Sequence, residues 1–133
     1  MWTSMNLESL YRKVLDIGHQ HYEDSKHDES MDLFRIVDLY DSVNHNQIES
    51  KLWLMDEASH LLDDEDKMCI VGSWYGVLSY MIRKESKCLI DNCDLDPYTK
   101  IIGERLVADL NPQPSWYLMD GVQRYLENKD WYT

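Results

Sequence analysis

The stretch from Met68 to Tyr98, MCIVGSWYGVLSYMIRKESKCLIDNCDLDPY, restricts the fold more than any other part of the chain. Met68-Cys69-Ile70-Val71 is apolar on both alternating faces, as expected of a strand covered on two sides. Gly72 and Gly76 bracket Ser73-Trp74-Tyr75, so the backbone can turn tightly and bring N–H groups up against a ligand. Val77 to Lys84 then reads as helix and Cys88 to Cys93 as a second strand. Asp94 and Asp96 follow that strand, where a carboxylate can accept both hydroxyls of a ribose. Strand, turn, helix and strand in this order make a parallel α/β unit, whose ligand crevice lies at the carboxyl ends of its strands. A parallel βαβ unit with a tight turn and no ligand accounts for the same residues.

A chain of 133 residues is one domain by size, and with 44% apolar residues, five Trp and nine Tyr it can bury a real core. No apolar run approaches the ~20 residues of a membrane span. The start, MWTSMNLESLYRK, lacks the basic stretch and apolar block of a signal peptide, so a cytoplasmic protein is expected. Cys69, Cys88 and Cys93 lack metal-ligand spacing and read as reduced core thiols. The net charge of −12 repels polyanions, which argues against broad nucleic-acid binding. It leaves open a small substrate, a protein partner or nucleic-acid mimicry.

Residues 4 to 24 carry Leu7, Leu10, Tyr11, Val14, Leu15 and Ile17 at helical spacing, with Ser4 as the expected N-cap. Within them VLDIG, at 14 to 18, imitates a glycine motif but has helical neighbours. His19, His21 and His27 stand among carboxylates, where a solvated helix end and loop is expected and no metal site. Further helices are expected over Met31–Tyr40 and Asn46–Leu62, the second with Ile48, Leu52, Trp53, Met55, Leu61 and Leu62 facing inward. Residues 1–66 thus form a helical extension packed on a sheet unit of 67–133, the two making one domain. Pro97 opens a helix from Tyr98 to Asp109. Asn111-Pro112-Gln113-Pro114 ends the pattern, Trp116–Met119 reads as a third strand, and Val122–Asn128 as a short helix.

GSWYG followed by DLDP resembles class I S-adenosylmethionine-dependent methyltransferases, in which a glycine-rich first motif precedes an acidic end of the second strand. With YDSVNHNQIESKLWL upstream, the combination is similar to small methyltransferase-like proteins of bacteriophages, over roughly residues 35 to 110. The resemblance implies an incomplete Rossmann-like parallel sheet with a helical N-terminal extension, in a host cytoplasm. It implies that Gly72, Ser73, Trp74 and Gly76 lie against the methionine part of S-adenosylmethionine. Asp94, or Asp96, would take the ribose hydroxyls, and Asp120 the adenine amine, with Leu95 or Trp116 against the ring.

This sequence departs from the family at the acceptor half. The family places acceptor-handling residues after a fourth strand, and the chain supplies three. His45, in Asn44-His45-Asn46-Gln47, is a candidate general base, with helix capping by Asn46 as the other account. Asn111, in NPQPSWY, is similar to the Asn of the loop with which amino-group methyltransferases hold a nitrogen, but inserted residues and its place in the strand order depart from that loop, and a plain Pro-rich turn is the expected reading. No methyl acceptor is implied, and no metal. Right-handed crossovers put the strands in the order 3-2-1 and leave an edge of the first unpaired, so self-association or a partner covering that edge is expected. The alternative is a non-enzymatic acidic phage protein, a structural component or an inhibitor of a host factor, that keeps only the scaffold.

Overall fold

The computed structural model describes residues 2–24, 39, 41 and 47–132. Along them run α1 (Ser4–Asp24), α2 (Ile48–Ser59), β1 (Lys67–Val71), α3 (Val77–Glu85), β2 (Leu89–Asp94), α4 (Pro97–Leu106), β3 (Ser115–Leu118) and α5 (Gly121–Glu127). The strands form one open sheet in the order β1-β2-β3, both pairs parallel. The described chain is therefore a mixed α/β structure of five helices on a three-stranded parallel sheet. The strand order is the one that right-handed crossovers predict.

Register decides which side chains meet. Ile70 stands opposite Asn92 and Asn92 opposite Trp116, while Cys69 stands opposite Asp91 and Cys93 opposite Tyr117. Because side chains alternate along a strand, Met68, Ile70, Ile90, Asn92, Asp94 and Trp116 share one face of the sheet. Cys69, Val71, Asp91, Cys93 and Tyr117 share the other. The first face carries α3 and α4: Asn92 Nδ2 donates to Ser79 Oγ at 3.2 Å, and the Trp116 ring lies against Gly76 and Gly103. Helix α1 packs on α4 and α2, and Trp2 Nε1 donates to the Met81 carbonyl at 3.2 Å. One core then joins Leu7, Leu10, Tyr11 and Val14 of α1 to Met81, Ile90, Ile102 and Leu106. Among the described residues the second face carries α5, with Gly121 seated on Val71 and Cys93.

That asymmetry changes the reading of β1. A strand apolar on both faces was expected to be buried on both, yet Val71 is 53% exposed. β1 is an edge strand, and a helix as short as α5 covers only part of the face beneath it. Helix α1 is capped one residue earlier than expected. Thr3 Oγ1 accepts from Asn6 N at 3.3 Å while Asn6 Oδ1 accepts from Thr3 N at 2.7 Å, a reciprocal box in which Asn replaces the usual Glu. VLDIG is helical, inside α1. Helix α2 ends at Ser59, short of the expected Leu62; it buries Met55 but leaves Trp53 62% exposed, and Leu61 beyond its end is 79% exposed, so two of the six positions expected to face inward do not. The expected helix over 31–40 and the Asn46 cap lie outside the described residues, except Leu39, which is buried. Among the described residues no helix is long and apolar enough to cross a membrane.

Candidate functional site at the carboxyl edge of the sheet

The turn after β1 is left-handed at three places: Gly72 (φ +67°), Trp74 (φ 55°) and Gly76 (φ +80°). Glycine takes that conformation freely, whereas at Trp74 it costs on the order of 1 kcal/mol and needs outside support. Trp74 N donates to Asp94 Oδ2 at 3.1 Å, and its ring meets Tyr11 edge-on at 5.5 Å. The backbone N–H groups expected to face a ligand are engaged within the fold. Gly72 N and Ser73 N both donate to the Cys93 carbonyl, at 2.9 and 3.0 Å, and Gly76 N to the Ser73 carbonyl at 3.1 Å. The turn lies against the end of β2, where a buried carbonyl must be satisfied.

Asp94 joins the two loops of this edge. Its Oδ2 holds the Trp74 N–H, and its Oδ1 accepts from Asp96 N at 3.0 Å. Each carboxylate oxygen has a second lone pair, so accepting capacity remains. Asp96 is the N-cap of α4, its Oδ1 accepting from Tyr98 N at 3.0 Å. Asp120 caps α5 in the same way, accepting from Val122 N at 2.9 Å. With Gly121 seated on Val71 and Cys93, Asp120 stands at the carboxyl edge too. The Trp116 ring, expected beside a ligand, is wedged between glycines instead: a Cβ on Gly76 would lie 2.8 Å from it. Leu95 stays at the edge, 73% exposed.

A cavity of about 420 Å³ opens here, between Gln47, Ser50, Lys51 and Leu54 of the α2 segment and Val71, Gly72, Ser73 and Trp74 of the turn. A Cβ on Gly72 would meet nothing within 4 Å, so its backbone faces open space. Ser73 is 5% exposed, and its Oγ has no hydrogen-bond partner among the described residues. Lys51 Nζ sits 5.3 Å from the Tyr11 ring centroid and 5.1 Å from that of Trp74, and burial lowers its pKa. Sequence reading missed Lys51, because nothing local in IESKLWL distinguishes a pocket lysine from a solvated one.

The two acceptor-side candidates do not join this site. Asn111 precedes β3 and lines a depression with Asp64, Lys84 and Lys87, at the amino ends of the strands, across the sheet from GSWYG. Its neighbour Pro112 offers its carbonyl to Arg83, at 3.3 Å from Nε and 3.1 Å from Nη2. His45 lies outside the described residues.

A second cavity, of about 270 Å³, lies on the α5 side between Arg83, Asp91, Pro112, Tyr117, Arg124 and Trp131. Asp91 is 4% exposed there and accepts from Tyr132 Oη at 2.5 Å and Arg124 Nη2 at 3.3 Å. Its ion pair is internal, which makes it a fastening for the C-terminal segment. Cys93 is fully buried, with its thiol pushed up to about 12 by burial and by the Cys69 thiol 3.9 Å away. It is accordingly a poor nucleophile. The carboxyl edge, with the larger cavity, open backbone at Gly72 and an unpartnered hydroxyl, is the better candidate site. Comparison with models of protein families, with curated proteins and with solved structures finds no match to this chain.

Proposed function

We propose that the carboxyl edge binds S-adenosylmethionine, and that the chain is a small Rossmann-like, methyltransferase-like protein whose acceptor is unassigned. One observation carries the reading: the cavity of about 420 Å³ is walled by the Gly72–Trp74 turn, and that turn is hydrogen-bonded to Asp94 at the end of the adjacent strand. Volume and position suit a nucleoside-bearing ligand. The reversal of the chain after β3, which sends α5 to the opposite face and back beneath β1, is the habit of doubly wound sheets and supports the same reading. Gly72 and Ser73 would lie along the amino-acid part, Asp94 would accept from the ribose with its remaining lone pairs, and Asp120 would stand near the base. Asp96 and Gly76 would act indirectly, by capping α4 and by admitting Trp116. Bound there, the cofactor would supply an electrophilic methyl group; the chain's own contribution would be alignment, since displacement at a sulfonium needs little proton transfer.

Calorimetric titration with S-adenosylmethionine and S-adenosylhomocysteine tests this. The wild type is expected to bind both. Asp94→Ala should weaken them at least tenfold, the loss of about one charge-assisted hydrogen bond, and Gly72→Val, with a branched side chain in a left-handed backbone, should abolish binding. Absence of heat with folded protein would end the reading. Turnover without any acceptor would identify cleavage of the cofactor rather than transfer.

The alternative, an acidic protein that works by association, is favoured by the α5 face and its surroundings. Val71, Val122, Tyr125 and Leu126 are all 45% exposed or more. A second copy laid across this face would shield that apolar surface. Light scattering during size-exclusion chromatography is expected to give a dimer that Val122→Asp converts to monomer; a strict wild-type monomer removes the self-association.

A further inference from the structure

We propose that the wall of the carboxyl-edge cavity contributed by α2 is an anion subsite, with Lys51 as its charge and Ser73 Oγ as a neutral donor. The ligand would therefore carry a negative group at the end away from its ribose. This rests on the nucleoside reading above and adds to it a ligand charge and a residue that selects for it.

Among the described residues Lys51 has no carboxylate within ion-pair distance. Lys13, Lys84, Lys87 and Lys129 also lack a described carboxylate at that distance, but they are exposed; Lys51 is half-buried on the wall of a cavity. Its ammonium sits over the rings of Tyr11 and Trp74, whose faces attract it but cannot neutralise it. Ser73 approaches from the opposite wall with a buried hydroxyl that lacks a partner among the described residues, which is uncommon unless something else supplies one. Lys51 also lies in the first turn of α2, where Gln47 makes no side-chain cap and the positive end of the helix favours negative charge. Cation, hydroxyl and helix terminus agree in sign, and they border one volume. The carboxylate of an amino-acid tail or a phosphate would satisfy all of them.

The test compares wild type with Lys51→Met, which keeps an unbranched side chain of similar length without the charge, and with Lys51→Arg and Ser73→Ala. Each is titrated calorimetrically with S-adenosylhomocysteine, with 5′-methylthioadenosine, which lacks the amino-acid tail, and with adenosine monophosphate. Wild type should bind S-adenosylhomocysteine about tenfold more tightly than 5′-methylthioadenosine, the size of one hydrogen bond to a charged group. Lys51→Met should erase that difference and leave 5′-methylthioadenosine unchanged; Lys51→Arg should keep most of it, and Ser73→Ala part. Lys51-dependent binding of adenosine monophosphate alone would identify the anion as a phosphate and retire the S-adenosylmethionine reading while keeping the subsite. Equal weakening of charged and uncharged ligands by Lys51→Met, or no Lys51 dependence for any anion, overturns the subsite.

Discussion

Gly103→Ala is expected to destabilise the protein by about 3 kcal/mol and to lower its melting temperature by roughly 10 °C. The sign is the informative part. Gly103 lies inside α4, where alanine is the better helix former by about 1 kcal/mol, so local propensity alone predicts a gain. Packing predicts the reverse. A Cβ at Gly103 would fall 2.1 Å from Trp116 Cη2 and 2.4 Å from its Cζ2, inside the ring. That ring is also held by Gly76 and by the attachment of Trp116 to β3, so it has no direction in which to retreat. Either β3 shifts against β2 or α4 lifts from the sheet. Gly18→Ala is the control: its Cβ would meet Leu39 Cδ2, also at 2.1 Å, but that is the far end of a flexible side chain, and the cost should be smaller. Trp116→Leu in the Gly103→Ala background should recover part of the loss. A Gly103→Ala protein as stable as wild type would mean that Trp116 does not sit between α3 and α4.

What the sequence made legible follows from how local the signal is. The strand, turn, helix and strand of 67–94 stand out because MCIV and CLIDNC are short apolar-rich runs separated by glycines and a helical period. Each of those cues acts within a few residues. The roles of single side chains were less legible because their partners are distant in sequence. Nothing in LIDNCD announces that Asp91 meets residues 33 and 41 positions away, or that Asn92 meets Ser79 on the helix before it. Asp96 and Asp120 read as ligand carboxylates, yet both are caps, an equally common use of aspartate before a helix. A glycine pair such as Gly72 and Gly76 reads as a sign of a close ligand, while Gly76 makes room for a tryptophan forty residues on. The cavity wall is narrower than the motif: Gly72, Ser73 and Trp74 line it, Asp94 braces the turn through the Trp74 N–H, and Lys51 joins from the fold.

Asp91→Ala is expected to cost about 3 kcal/mol and to loosen the chain from α5 onward. Asp91 lies in the middle of the central strand, its side chain 5% exposed, and takes the Tyr132 hydroxyl and the Arg124 guanidinium together. Arg124 Nε in turn donates to Tyr132 Oη at 3.2 Å, and its guanidinium carbon lies 3.9 Å from the centre of the Tyr117 ring. Removing the carboxylate leaves a cation and a hydroxyl facing the sheet without their shared acceptor. Breaking a fully buried pair costs about 3–5 kcal/mol; Arg124 retains 23% exposure and some water, which puts this case at the lower end. The same logic predicts that replacing the whole group is milder. Asp91→Leu with Arg124→Met should regain most of the stability, because no uncompensated charge remains and the cavity of about 270 Å³ beside it is filled with apolar volume. Chemical denaturation gives the energies, and limited proteolysis should show cleavage between Arg124 and Tyr132 rising in Asp91→Ala only. The affinity of the carboxyl edge supplies the functional arm. Asp94 is fixed by the β1 turn and should keep its ligand, whereas Asp120 moves with α5, so a few-fold loss confined to adenine-bearing ligands would place Asp120 beside the base. A double variant no more stable than Asp91→Ala would show that the loss does not come from the uncompensated Arg124 charge.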